Sequence, residues 1–169
     1  MHDRSLVQLA SDWWTIQSGD HSVHDDFIDG ADDEVNQLID DGSEEVPALI
    51  GALASIAPDG ALSYIGVAIL EDLAMAADFN GRVDTTIDML VLAGLDRPIA
   101  YEILAGPYPD FLERWRVRDR FGEVFTAVQL DALYDWNGRR NRRLVMSGDG
   151  FRLADISPWF KIGQAFDEA

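Results

Sequence analysis

The chain is predicted to be mainly α: one domain of 169 residues, a helical bundle or a stack of helical hairpins around a buried central helix at about 61–78, with a small C-terminal β-hairpin at 142–154. Three observations carry that expectation. Apolar residues recur at three- and four-residue steps over most of the chain. Glycine follows most of the periodic stretches, where a helix would stop. One stretch, ALSYIGVAILEDLAMAAD, is apolar nearly all round, which is the pattern of a helix enclosed by others.

Each element follows from its residues. Asp3 can cap a first helix in which Leu6, Leu9, Trp13 and Ile16 share a face, ending near Gly19. Ala31 to Asp41 places Val35, Leu38 and Ile39 together, with Gly42 as its stop. Ser43 can cap a helix from Glu44 to Ala57, with Pro47 tolerated in the first turn. After the central helix, Arg82 to Ala93 and Pro98 to Ala105 form a second helix–glycine–helix pair, closed by Gly94 and Gly106. An offset of 52 residues lays Leu38 on Leu90, Gly42 on Gly94 and Ala48 on Ala100, a faint internal repeat. Asp110 is the expected cap for Phe111, Leu112 and Trp115, and Gly122 a break before Glu123 to Trp136. RRLVMSGDGFRLADI, with two short runs around GDG, reads as the hairpin.

Composition bounds the function. Apolar residues make up 47%, with five Trp and eight Phe, so a real core is expected despite a net charge of −18. No cysteine is present, which excludes disulfides and cysteine-based zinc sites. No run reaches the roughly 18 apolar residues of a spanning helix, and the first residues lack a signal-peptide pattern, so the expectation is a cytoplasmic protein with no membrane partner.

The charge is uneven. Residues 1–85 hold two basic residues against eighteen acids, whereas residues 86–169 hold eleven against thirteen. Within DDFIDGADDEVNQLIDDGSEEV, residues 25–46, ten carboxylates stand without one Lys or Arg. Asp32, Asp33, Glu34, Glu44 and Glu45 fall in first turns, where the helix dipole favours them; Asp40 and Asp41 fall at a C-terminus, where it does not, and Asp25, Asp26 and Asp29 precede the helix. Local stability therefore leaves half of the tract unexplained.

The block EEVPALIGALASIAPDGALSYIGVAILEDLAMAAD resembles an uncharacterised bacterial family of small all-helical domains, in which a helix with a Pro/Glu-rich start is followed by one of the form Gly-x-x-x-Leu-Glu-Asp-Leu. Gly66, Leu70, Glu71, Asp72 and Leu73 carry the match, and the likeness runs on through VDTTIDMLVLAGLDRPIAYEILAG, about half the chain. It implies a helical fold, a bacterial source and no enzymatic activity. The acidic opening and the Arg-rich ending depart from it.

Chemistry-bearing patterns are sparse. With Gly30 at position 6 of a calcium loop, Asp25 and Asp29 fall at positions 1 and 5, but Phe27 and Asn36 occupy ligand positions 3 and 12. His21 and His24, with Asp20 or Asp25, could form a three-ligand site only if that segment were helical, and no distant fourth ligand is identifiable. Glu71 and Asp72 interrupt the apolar helix and need partners; as neighbours they point about 100° apart and cannot address one atom as acid and base. The expected partners are structural arginines, with Arg114, Arg116 and Arg118 as candidates. The Arg-rich segments WRVRDR and NGRRNRR suggest nucleic acid in isolation, but the net charge opposes it.

The resulting expectation is a binding protein, not an enzyme, that needs no cofactor and no metal. Its basic partner, a toxin or effector such as a nuclease, would dock on Asp25, Asp26, Asp29, Asp32, Asp33, Asp40, Asp41, Glu44 and Glu45 in the manner of an immunity protein or inhibitor. The alternatives are a nucleic-acid mimic that blocks a DNA-binding protein, and a small enzyme or metal protein using Glu71 and Asp72 or His21 and His24.

Overall fold

The computed structural model describes residues 4–18, 30–79, 85–135, 144–147 and 150–153. These residues are mostly helical. In chain order they form α1 (Leu6–Gln17), α2 (Ala31–Asp40) and α3 (Val46–Ser55); a central helix made of α4 (Leu62–Ile65), a π-helical turn (Gly66–Leu70) and α5 (Glu71–Phe79); and then α6 (Thr85–Leu92), α7 (Arg97–Leu104), α8 (Pro109–Arg114), α9 (Val117–Phe121) and α10 (Ala127–Tyr134). Leu144–Ser147 and Gly150–Leu153 run antiparallel, with Leu144 opposite Leu153 and Ser147 opposite Gly150.

Helix α1 begins one turn into the chain because Ser5 caps it, its hydroxyl accepting from the Gln8 amide at 3.2 Å. Asp3, the residue expected in that role, lies outside the described residues. Two adjacent tryptophans then dock the helix. Trp13 and Trp14 project about 100° apart, so one helix can reach two neighbours. Trp13 lies 5.8 Å from the Tyr64 ring, and Trp14 donates its indole N–H to the Leu53 carbonyl at 3.0 Å. Both tryptophans are buried, and α1 packs on α2 and α3.

The turn after α2 is a Schellman motif. Gly42 adopts a left-handed φ of 59°; its amide donates to Ile39 and the Ser43 amide donates to Leu38, both at 3.0 Å. Ser43 does not cap α3 itself: its hydroxyl accepts from the Glu45 amide, and Glu45 is the N-cap. Gly94 plays the corresponding part after α6, with φ 64° and its amide on the Val91 carbonyl.

Backbone meets backbone where the central helix crosses the end of α7. A Cβ on Gly66 would sit 2.0 Å from the Ile103 carbonyl oxygen, and one on Gly106 would sit 1.8 Å from that of Ser63. No larger side chain fits at either position without moving a helix. The π-turn lies at this crossing and is closed by the Glu71 amide on the Gly66 carbonyl. Beyond it, the helix expected from Glu123 to Trp136 starts later. Arg116, in the left-handed region at φ 54°, turns the chain between α8 and α9, and Thr126 opens α10 with a capping box to Gln129. Tyr108, not Asp110, caps α8, because Pro109 supplies a preset φ at the first helical position.

Candidate functional site

Burial of Val35, Leu38 and Ile39 fixes how α2 is turned about its axis, and so decides where its acids point. Asp33, Asp40 and Asp41 are exposed, as are Glu44 and Glu45 at the start of α3. Asp25, Asp26 and Asp29, together with His21 and His24, lie outside the described residues.

Glu34 behaves differently from the rest of the tract. It faces the buried Arg4 guanidinium at 3.3 Å, and Arg4 also lies 3.7 Å from Asp12, whose other oxygen accepts from the Gln8 side chain at 2.7 Å. The two Arg4 contacts are ion pairs without hydrogen-bond geometry. One acid of the tract is therefore neutralised from within.

Asp32 begins a polar chain that reaches the central helix. Its carboxylate accepts from the Gln17 side-chain amide at 3.0 Å, and the Gln17 carbonyl accepts from the Tyr64 hydroxyl at 2.8 Å. Asp72 completes the group. It is half-buried and makes no ion pair among the described residues; burial first, then the charges of Asp32 and Asp40, raise its carboxyl above the ordinary aspartate range. Tyr64 is raised too, by burial first and then by Asp32 and Asp72. The charges at both ends of α2 thus act on one carboxylate of the central helix.

Glu71 and Asp72 divide as neighbouring helical residues must. Glu71, only 9% exposed, turns inward and accepts the Tyr108 backbone N–H at 2.9 Å, fastening the turn that leads into α8. Asp72 turns toward α2. In the Gly-x-x-x-Leu-Glu-Asp-Leu segment, Gly66 and Glu71 serve packing, whereas Asp72 lies on the charged face.

Two of the three arginine candidates are engaged elsewhere. Arg116 pairs with Asp119 and Arg118 with Asp131, each at 2.8 Å, and Arg118 also lies 4.3 Å above the Tyr134 ring. Arg120 pairs with Asp88. Arg114 is in the last turn of α8 and exposed. Arg116 and Arg118 therefore meet acids of their own helices and of α10, not Glu71 or Asp72.

Among the described residues, no group of three His, Asp or Glu side chains is arranged to hold a metal ion. No helix there is long and apolar enough to cross a membrane. An open groove of about 400 Å³ runs along α1, lined by Val7, Ser11, Trp14, Thr15, Ser18, Ile56 and Pro58. None of these side chains is ionisable at ordinary pH, so the groove has no acid or base to offer.

Sequence reasoning missed Gln17, Tyr64 and Arg4. Asp12 within an apolar helical face, four residues after Gln8, was the available signal for the Arg4 cluster. Nothing local marks Gln17 or Tyr64, because their meeting spans 47 positions. No family model, no curated protein and no solved structure matches the chain.

Proposed function

We propose that this is an acidic protein-binding module of the immunity or inhibitor kind, which occludes the cationic cleft of a basic toxin or effector. A nuclease is one class of target whose phosphate-binding cleft carries the required charge. The module acts by occupancy and performs no chemistry of its own. The supporting observation is Asp72: a half-buried carboxylate set against Asp32 and Asp40, next to the exposed acids of α2 and α3. Such crowding of like charge opposes folding, and a cation arriving from another molecule relieves it. In the later half, by contrast, Arg116, Arg118 and Arg120 meet Asp119, Asp131 and Asp88.

The test is kinetic. A basic protein recovered from the source cells with this chain should associate more slowly as salt rises, by one to three orders of magnitude between low and high ionic strength. Asp40→Asn with Asp41→Asn should slow association at low salt and leave the folded state intact. An association rate indifferent to both salt and substitution defeats the assignment.

A further inference from the structure

Next to the acidic group lies an apolar stripe that the core does not use. Val67 is 38% exposed and Met75 55% exposed, both on the central helix, and Tyr108 is 45% exposed where the chain enters α8. The i→i+5 closure of the π-turn sets Val67 beneath the Glu71 and Asp72 pair, and Met75 follows one turn above it. Tyr108 adjoins the same strip through its amide on Glu71. On the other side of the strip stands Asp72, and α2, which carries Asp32 and Asp40, packs against α5. The outcome is an exposed apolar line bordered along one edge by carboxylates.

We propose that this stripe is the anchor of the docking face, and that its occupant is an amphipathic basic segment of a protein partner. Apolar side chains of that segment pack on Val67, Met75 and Tyr108, while its lysines or arginines reach Asp72, Asp32 and Asp40. The inference rests on the acidic-docking reading and adds what charge alone lacks. Charge supplies encounter rate and orientation, whereas residence depends on desolvated anchors in contact. Charge complementarity selects the occupant: an uncharged apolar segment would bring no opposite charge to Asp72, and an acidic one would bring like charge.

Two synthetic peptides of equal length and equal charge separate the possibilities, one alternating lysine with leucine at helical spacing and one replacing each leucine by serine. Binding of both to the full chain is followed by anisotropy at low and moderate salt. The lysine–leucine peptide is expected to bind about tenfold tighter or better, the scale of a single apolar anchor. Met75→Gln with Val67→Thr should erase that advantage while leaving lysine–serine binding unchanged. Both positions are exposed, and thermal melts of the variant verify the fold. Equal binding of the two peptides overturns the anchor and spares the electrostatic face; no binding of either overturns both. If sedimentation shows the free protein to be a dimer that Met75→Gln dissociates, a second copy is the occupant and the proposal fails.

Discussion

In the pair α2 and α3, Gly42 ends the first helix at φ 59° and Pro47 stands in the first turn of the second; in the pair α6 and α7, Gly94 does so at φ 64° and Pro98 takes the corresponding place. Leu38 and Leu90, which the 52-residue offset matches, are both buried. The two hairpins are thus assembled by the same local rules. Their surfaces are finished differently. In the second pair Asp88 meets Arg120, and Arg97 donates to the Val124 carbonyl, so these two charges are met by residues of the 117–134 segment. In the first pair Glu34 is drawn to an arginine, and Asp33, Glu44 and Glu45 stand exposed without an ion pair among the described residues. Since one backbone plan serves both, the acids of the first pair are not a requirement of the hairpin. They are an addition to it.

The strongest way to break the comparison is at the support both hairpins share. Gly106→Ala forces a methyl group into the Ser63 carbonyl and should cost about 3 kcal/mol, lowering the urea midpoint sharply. A neutral result would mean that the two helices do not touch there. Next come Gly42→Ala and Gly94→Ala, each expected to cost about 1–2 kcal/mol for a left-handed residue with a side chain. Equal losses would establish the equivalence of the two turns; a difference of more than a factor of two would deny it.

Charge substitutions sharpen the contrast with smaller effects of opposite sign. Asp72→Asn should raise stability at neutral pH by no more than about 1 kcal/mol, given that the group is half in solvent. The sign follows from linkage. The native state holds this proton more tightly than the unfolded chain between the ordinary value of 3.8 and the raised one, so the stability it contributes is present at acid pH and is lost as pH rises through that window. The difference between wild type and Asp72→Asn should therefore shrink on acidification, and a constant gap in melting temperature from pH 7 to pH 3 would refute the cause assigned here. Asp88→Asn in the other hairpin should instead destabilise by about 0.5 kcal/mol or less, as loss of an exposed ion pair does. A shift of similar size and opposite sign is expected from Asp40→Asn with Asp41→Asn, a gain of about 0.3 kcal/mol for each at low salt, because negative charge is removed from a helix C-terminus.

What was legible in the sequence was whatever depends on neighbours along the chain. The helical period, the glycine stops at Gly42 and Gly94, and the first-turn prolines could all be read because each is decided within about five residues. The π-turn could not, since a helix apolar on every side carries no phase against which an inserted residue would show. The break at Arg116 was hidden as well, because an arginine in the left-handed region carries none of the glycine signal that such a turn usually gives. The influence of Asp32 and Asp40 on Asp72 is a product of how α2 packs on the central helix, so the acidic tract was visible while its tie to Asp72 was not. The arginines of the 114–120 segment found acids nearby, at Asp119 and Asp131, and across the fold at Asp88; spacing alone does not rank such partners.

The residue wound in surplus between Gly66 and Leu70 makes the central helix adjustable. Removing one residue there would rotate everything beyond it by about 100° relative to the part clasped by Ile103 and Pro107. Position 72 would then swing off the flank of α2, and the latch at Tyr108 would lose its carboxylate. The length of this turn therefore sets the aim of Asp72 and the seating of Glu71, Leu73 and Ala74 together.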